Sequence, residues 1–190
     1  MERRYWRTDR IVLRAPTPED GTENLRARRD NDDLGDWLCD RLYAPFPEAA
    51  LARRQQEHSE QMPQQDQYTL MITSLTGQVM GSICITHTDP RNGVFSYGLA
   101  LRPDFQRQGY GREAALIVLD YFFHELRYHK CNVEVYAYNE SSRAFHEALG
   151  FDLEGARRES VYSRGRYHDL LLYGMTSQRF TDRYGVRAFQ

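Results

Sequence analysis

Leu99–Leu126, LALRPDFQRQGYGREAALIVLDYFFHEL, decides how the rest of the chain is read. Leu99 and Leu101 close an alternating apolar segment that stops at Pro103, a polar loop follows, and beyond Gly109 and Gly111 a strongly helical pattern begins. That order is strand, glycine loop, helix. In Gln106-Arg107-Gln108-Gly109-Tyr110-Gly111 the two glycines let the backbone turn tightly and approach a ligand closely. Successive N–H groups at the helix N-terminus can then converge on a phosphate. Arg107 and Arg112 flank the loop and can add charge-assisted hydrogen bonds to a pyrophosphate. The Gly-Lys-Ser/Thr ending of a P-loop is absent, and so are the third glycine and downstream acidic residue of a dinucleotide fingerprint. Taken alone, the loop is equally what an ordinary strand-to-helix connection looks like.

Working outward, Ala115, Leu119, Phe122 and Leu126 fall on one helical face, so this helix is expected to lie on a sheet. Cys131–Tyr138 reads as the next strand, parallel to Val94–Leu101 because a helical crossover separates them. Asn139 then caps a helix to about Leu149, Gly150 ends it, and Glu154–Tyr162 with Tyr167–Met175 form a hairpin about Ser163–Arg166. Upstream, Arg10–Arg14 is a strand, and Thr17 with Pro18 starts a helix that is expected to reach about Arg29. An acidic turn and a second short helix ending near Tyr43 follow. Ala44-Pro45-Phe46-Pro47 breaks the chain before a polar helix over Glu48–Gln61, and two strands, Tyr68–Thr73 and Val79–Thr86, are joined through Gly77. Three antiparallel strands thus precede the loop. The reading gives one domain over residues 1–177 and a tail over 178–190 that carries no legible pattern.

With 190 residues, 25 basic and 27 acidic side chains and a net charge of −2, the chain is long enough for one core and lacks the electrostatic footprint of a nucleic-acid binder. The longest apolar stretch, within Ala114–Phe123, is broken by Asp120 and is far short of the roughly 20 residues of a membrane span. No membrane or nucleic-acid partner is expected. The N-terminus, Met1-Glu2-Arg3-Arg4-Tyr5-Trp6-Arg7, leads into no apolar export segment, which implies a cytoplasmic location. Cys39, Cys84 and Cys131 are an odd set without metal or disulfide spacing, so no metal is implied and the thiols are expected to be free.

The loop resembles the Gln/Arg-x-x-Gly-x-Gly/Ala element of the GNAT superfamily of N-acetyltransferases. The match continues at that family's spacing through Cys131–Tyr138, Asn139–Phe151 and Gly165-Arg166-Tyr167-His168-Asp169. It is most similar to the ribosomal-protein alanine and spermidine N-acetyltransferase branch. The resemblance implies an α/β fold with a mixed, mostly antiparallel sheet splayed at one parallel strand pair and with helices on both faces. It implies acetyl-CoA as co-substrate, a small amine or a peptide N-terminus as acceptor, and a possible homodimer. Carried over residue by residue, Leu99 and Leu101 offer backbone groups to the pantetheine arm, and the Leu101 N–H polarises the thioester carbonyl. Gln106, Arg107, Gln108, Gly109, Tyr110, Gly111 and Arg112 hold the pyrophosphate. Asn139 meets the pantetheine or assists the acid, and it also reads simply as a helix cap. Ser142 and Arg143 lie near the adenosine phosphates.

Two departures bear on catalysis. His146 stands where many members have the tyrosine that protonates the departing thiolate; a histidine can do this, act as base, or be a plain surface helix residue. Ser96 stands where many have a glutamate base, leaving Tyr97, Glu134 and His87 as substitutes, or a water chain to solvent. A non-catalytic acyl-CoA-binding module is the alternative that these departures favour. For the acceptor, Asp32, Asp33, Asp36 and Trp37 are candidates, in a run where Asp30 and Asp40 complete five carboxylates within eleven positions. This run reads as cation attraction or as a solvated turn.

Overall fold

The computed structural model describes residues 5–20, 47–60, 62–163 and 165–186. The expected first and second helices beyond Asp20, the acidic run with Asp32, Asp33, Asp36 and Trp37, and Cys39 lie outside the described residues. Seven strands form one open sheet in the order β1-β2-β3-β4-β5-β7-β6. They are β1 (Ile11–Arg14), β2 (Thr69–Ser74), β3 (Val79–Asp89), β4 (Val94–Leu101), β5 (Lys130–Tyr136), β6 (Asp152–Ser163) and β7 (Arg166–Thr176). With them are helices α1 (Glu48–Glu60), α2 (Tyr110–Asp120), α3 (Glu140–Leu149) and α4 (Ser177–Tyr184). Every strand pair is antiparallel except β4 with β5. The crossover through α2 makes that pair parallel.

Period-two alternation sets the faces. Phe95 and Tyr97 on β4, Ile83 and Ile85 on β3, and Cys131, Val133 and Val135 on β5 share one side by register and are all buried. Phe95 stacks on Phe122 of the α2 extension, with ring centroids 4.2 Å apart. Along the opposite side Thr86, Ser96 and Asn132 fall in one row across three strands.

Helix α2 is buried on more than the single stripe that its periodicity shows, because two distant segments cover its outer side. Trp6 packs on Tyr121 at 4.7 Å, and the Tyr5 hydroxyl donates to the buried carboxylate of Asp120. Phe180 packs on Phe123 at 5.4 Å. The expected continuous helix to Leu126 instead passes into a π turn over Tyr121–Glu125, closed by the Leu126 N–H on the Tyr121 carbonyl. The extra residue in that turn brings both Phe122 and Phe123 into the core.

The stretch after Ser177, expected as tail, is helical as far as Tyr184 and docks by burying Phe180. Arg183 donates to the Ala148 carbonyl, Arg179 to that of Gly150, and the Tyr184 hydroxyl to that of Leu149. These three side chains satisfy carbonyls that the C-terminus of α3 leaves open. β5 is also shorter than expected, since Tyr138 lies in the turn before α3.

Candidate active site

Pairing of β4 with β5 consists of Val94 with Lys130, Phe95 with Cys131 and Ser96 with Asn132, and then stops. Both strands run on, β4 to Leu101 and β5 to Tyr136, so their facing edges diverge from Tyr97 onward. The direction of the freed groups follows from the ladder with β3. The Arg102 N–H donates to the Met80 carbonyl of β3. Neighbouring residues alternate, so the N–H and C=O of Leu99 and Leu101 point away from β3, into the gap. The Leu101 carbonyl is taken by the Gln106 side-chain amide at 2.9 Å, which ties the loop to the strand end.

Beyond a short 3-10 turn over Pro103–Phe105, the loop reaches α2 through two left-handed residues, Arg107 (φ 57°) and Gly109 (φ 88°). Gly109 is the N-cap, and no side chain among the described residues caps the helix. The first intrahelical bond is Glu113 N–H to the Gly109 carbonyl, which leaves the amides of Tyr110, Gly111 and Arg112 directed outward. Gly111 allows a close approach: a Cβ there would stand 3.3 Å from the side chains of both Leu99 and Leu101, tight enough to make them shift by a few tenths of an ångström, and 3.6 Å from Phe145. Absence of that atom seats the helix start directly against the open strand edge. Arg107 and Arg112 are exposed beside the loop.

A brace invisible in the local sequence holds this loop. Arg10 donates to the Gln108 carbonyl at 2.9 Å and to Glu113 at 2.6 Å, and its guanidinium lies 4.7 Å from the Tyr110 ring centre. Its partners are about a hundred residues away in the chain, so no spacing rule could expose it.

Across the gap, the Asn139 side chain accepts the Ser142 N–H at 2.9 Å and caps α3. His146 is not on the surface. Its Nδ1 lies 2.8 Å from the Ser142 carbonyl, and its ring is enclosed by Phe145, Phe151 and Tyr97. A carbonyl only accepts, so Nδ1 carries the proton and Nε2 is a bare acceptor. Burial pushes its pKa down to about 4, against the raising effect of the Ser142 carbonyl. His146 is therefore uncharged at neutral pH, and its Nε2 is an acceptor buried from solvent.

The other candidates for acid–base work differ in availability. Glu134 is engaged by Arg157 at 2.7 Å. His87 is exposed in an irregular stretch of β3, with φ at 48° and a contact to Thr86. Tyr97 is buried, and desolvation holds its phenol well above the usual range. Ser96, Thr86 and Asn132 form the nearest polar row on the far side of the sheet, with no carboxylate among them.

An open strand edge abutting a glycine-loop helix start is the geometry to which the chain's similarities correspond. The family model described as the acetyltransferase (GNAT) domain matches residues 10–152. The chain belongs to the GNAT acetyltransferase family. It is similar to the SPbeta prophage-derived uncharacterized N-acetyltransferase YokL of Bacillus subtilis (strain 168), with 33% identity over 184 residues, covering 95% of this chain and 98% of that one. The fold is also that of the ribosomal L7/L12 alpha-N-protein acetyltransferase RimL, with a TM-score of 0.75, 19% identity and coverage of 89% and 91%. Mutant forms of the spermidine/spermine N-acetyltransferase SpeG from Vibrio cholerae align with a TM-score of 0.72, 17% identity and coverage of 93% and 99%. The protein is an acyltransferase of this family.

Proposed function

We propose that this GNAT enzyme transfers the acetyl group of acetyl-CoA to a primary amine, foremost the α-amino group of a peptide or protein. The reading rests on the free edge of β4 at Leu99–Leu101 meeting an N-terminus of α2 that no described side chain caps. The Leu99 and Leu101 backbone groups suit the amides of a pantetheine arm, and the outward N–H groups of Tyr110, Gly111 and Arg112, with Arg107, suit a pyrophosphate. Acetyl-CoA supplies the acyl group already activated as a thioester. The Leu101 N–H, directed into the gap, is a fixed donor for a carbonyl oxygen there; such a donor is typically worth roughly 3 kcal/mol of barrier. Asn139, Ser142 and Arg143 sit at the start of α3, on the far wall.

Among the described residues Ser96 stands in the row beside the gap and Glu134 is engaged by Arg157, and this reading assigns proton removal from the amine to solvent. An α-amino group, with a pKa of about 8, keeps roughly a tenth to a fifth of its molecules neutral near physiological pH, whereas an alkyl ammonium of pKa about 10 keeps under about one in a hundred. RimL acts, by its name, on a protein α-amino group, and SpeG on spermidine or spermine. The test is thiol release from acetyl-CoA with a panel of peptide N-termini, polyamines and other primary amines at pH 7. Peptide N-termini should give the largest kcat/KM. Faster turnover of polyamines would reverse the acceptor order, and no release with any amine would remove the transferase reading of the gap.

A further inference from the structure

Among the described residues four side-chain polar atoms lie buried without a partner, the Tyr97 hydroxyl, His146 Nε2, Asn132 Oδ1 and Arg143 Nε, and the first two belong to neighbouring rings where the strands begin to diverge. Those two residues are 6% and 8% exposed, and their rings are 5.8 Å apart. Tyr97 is the first β4 residue past the last rung with β5, and His146 reaches toward it from α3. The two groups are chemically complementary. Nε2 is an acceptor because Nδ1 donates to the Ser142 carbonyl, and a phenol is a donor. Asn132 lies on the opposite face of the sheet, in the row with Ser96, and the Arg143 guanidinium bears on the Tyr173 hydroxyl. The ionisable groups bearing on the Tyr97 hydroxyl are Cys131 and Tyr184. Tyr184 donates to the Leu149 carbonyl and accepts from Arg183, while the Cys131 sulfur lies 4.0 Å from the Asn132 carbonyl. Leaving a phenol and an imidazole nitrogen both dry and unpaired is unfavourable, and a buried water commonly resolves such a pair.

We infer that one buried water bridges the Tyr97 hydroxyl and His146 Nε2, which makes Tyr97 a positioning residue for the imidazole at the apex of the acyl-transfer gap. Through that water the phenol holds His146 as the Nδ1–H tautomer and fixes the orientation of its ring relative to the gap. The inference rests on the transferase reading of the gap for its catalytic consequence, but not for the hydrogen bond itself.

The experiment is nitrogen-15 NMR of the histidine side chains in the unliganded protein, paired with kinetics of Tyr97→Phe. In the wild type, His146 should show a protonated Nδ1 and a non-protonated, hydrogen-bonded Nε2. In Tyr97→Phe the Nε2 resonance should move toward that of a free acceptor while the Nδ1 signal stays. With the best acceptor found, kcat should fall about tenfold, the upper worth of one net hydrogen bond, with KM for acetyl-CoA unchanged. A protonated Nε2 in the wild type overturns the inference without any variant being needed. An Nε2 signal identical in folded Tyr97→Phe overturns it as well, whether or not the protein transfers acetyl groups.

Discussion

Protonating His146 costs the folded chain more than the unfolded one, because the imidazole would have to carry charge among Phe145, Phe151, Tyr97 and Tyr173. Its pKa of about 4 in the fold compares with about 6.5 in an unfolded chain. The folded state therefore binds fewer protons than the unfolded state between those values. Stability is full above pH 6.5 and declines as pH falls through about 4, by roughly 3 kcal/mol from this residue. In denaturant melts between pH 7 and 4, the stability of wild type minus that of His146→Phe should fall by that amount as pH falls. Parallel curves would mean that the ring is not buried in its neutral form. The same burial explains why the residue was ambiguous in sequence. A histidine seven residues after a helix cap is compatible with an acid, a base or a surface position. Only Tyr97, Phe151 and Tyr173, brought in from outside the helix, decide among them.

At the level of elements, the strand, loop and helix that open on Leu99 carry the most local information and were the most legible. Proline, two glycines and a switch from alternating to helical periodicity mark every boundary, and β4 runs over Val94–Leu101 as its alternation predicts. Gly109 is required by its φ of 88°, a conformation in which a Cβ costs about 1–2 kcal/mol. Gly109→Ala should lower stability by about that amount through the strained turn. It should also weaken CoA binding at least about tenfold, because relaxing the turn redirects amides that act on a charged group. Calorimetric titration with CoA checks the second effect, and unchanged affinity in the folded variant would detach the loop from phosphate binding. Illegible elements share one property: their reason lies elsewhere in the chain. The segment Ser177–Tyr184 is mostly polar, and it is helical because Phe180 finds a slot beside Phe123 and its arginines find the α3 carbonyls. The π turn exists because the Trp6 side and the Phe180 side both need aromatic contact. Neither pressure leaves a periodic trace.

On the scale of the whole molecule, three rungs between β4 and β5 join a four-stranded half sheet to a three-stranded one, and α2 crosses between them as the covering core helix. Arginines flank the glycine loop, while the net charge of −2 means that compensating acid lies elsewhere, with Asp30, Asp32, Asp33, Asp36 and Asp40 its densest run in the sequence. If this run attracts the acceptor, the preferred peptide has basic residues after its N-terminus. Attraction between solvated charges is screened over about 8–10 Å at physiological salt, so it acts on encounter and binding rather than on bond making. The Michaelis constant for such a peptide should therefore rise with salt while kcat holds. Replacing Asp32, Asp33 and Asp36 together by asparagine should raise that constant at low salt, flatten its salt dependence, and leave a neutral peptide with the same N-terminal residue almost unaffected. Steady-state kinetics on the two peptides at low and physiological ionic strength separate the cases. Equal constants for the triple variant and the wild type with the basic peptide at low salt would show that these carboxylates act only as a solvated part of the surface. Acceptor choice would then rest with the polar row of Thr86, Ser96 and Asn132, whose side of the sheet faces away from α2.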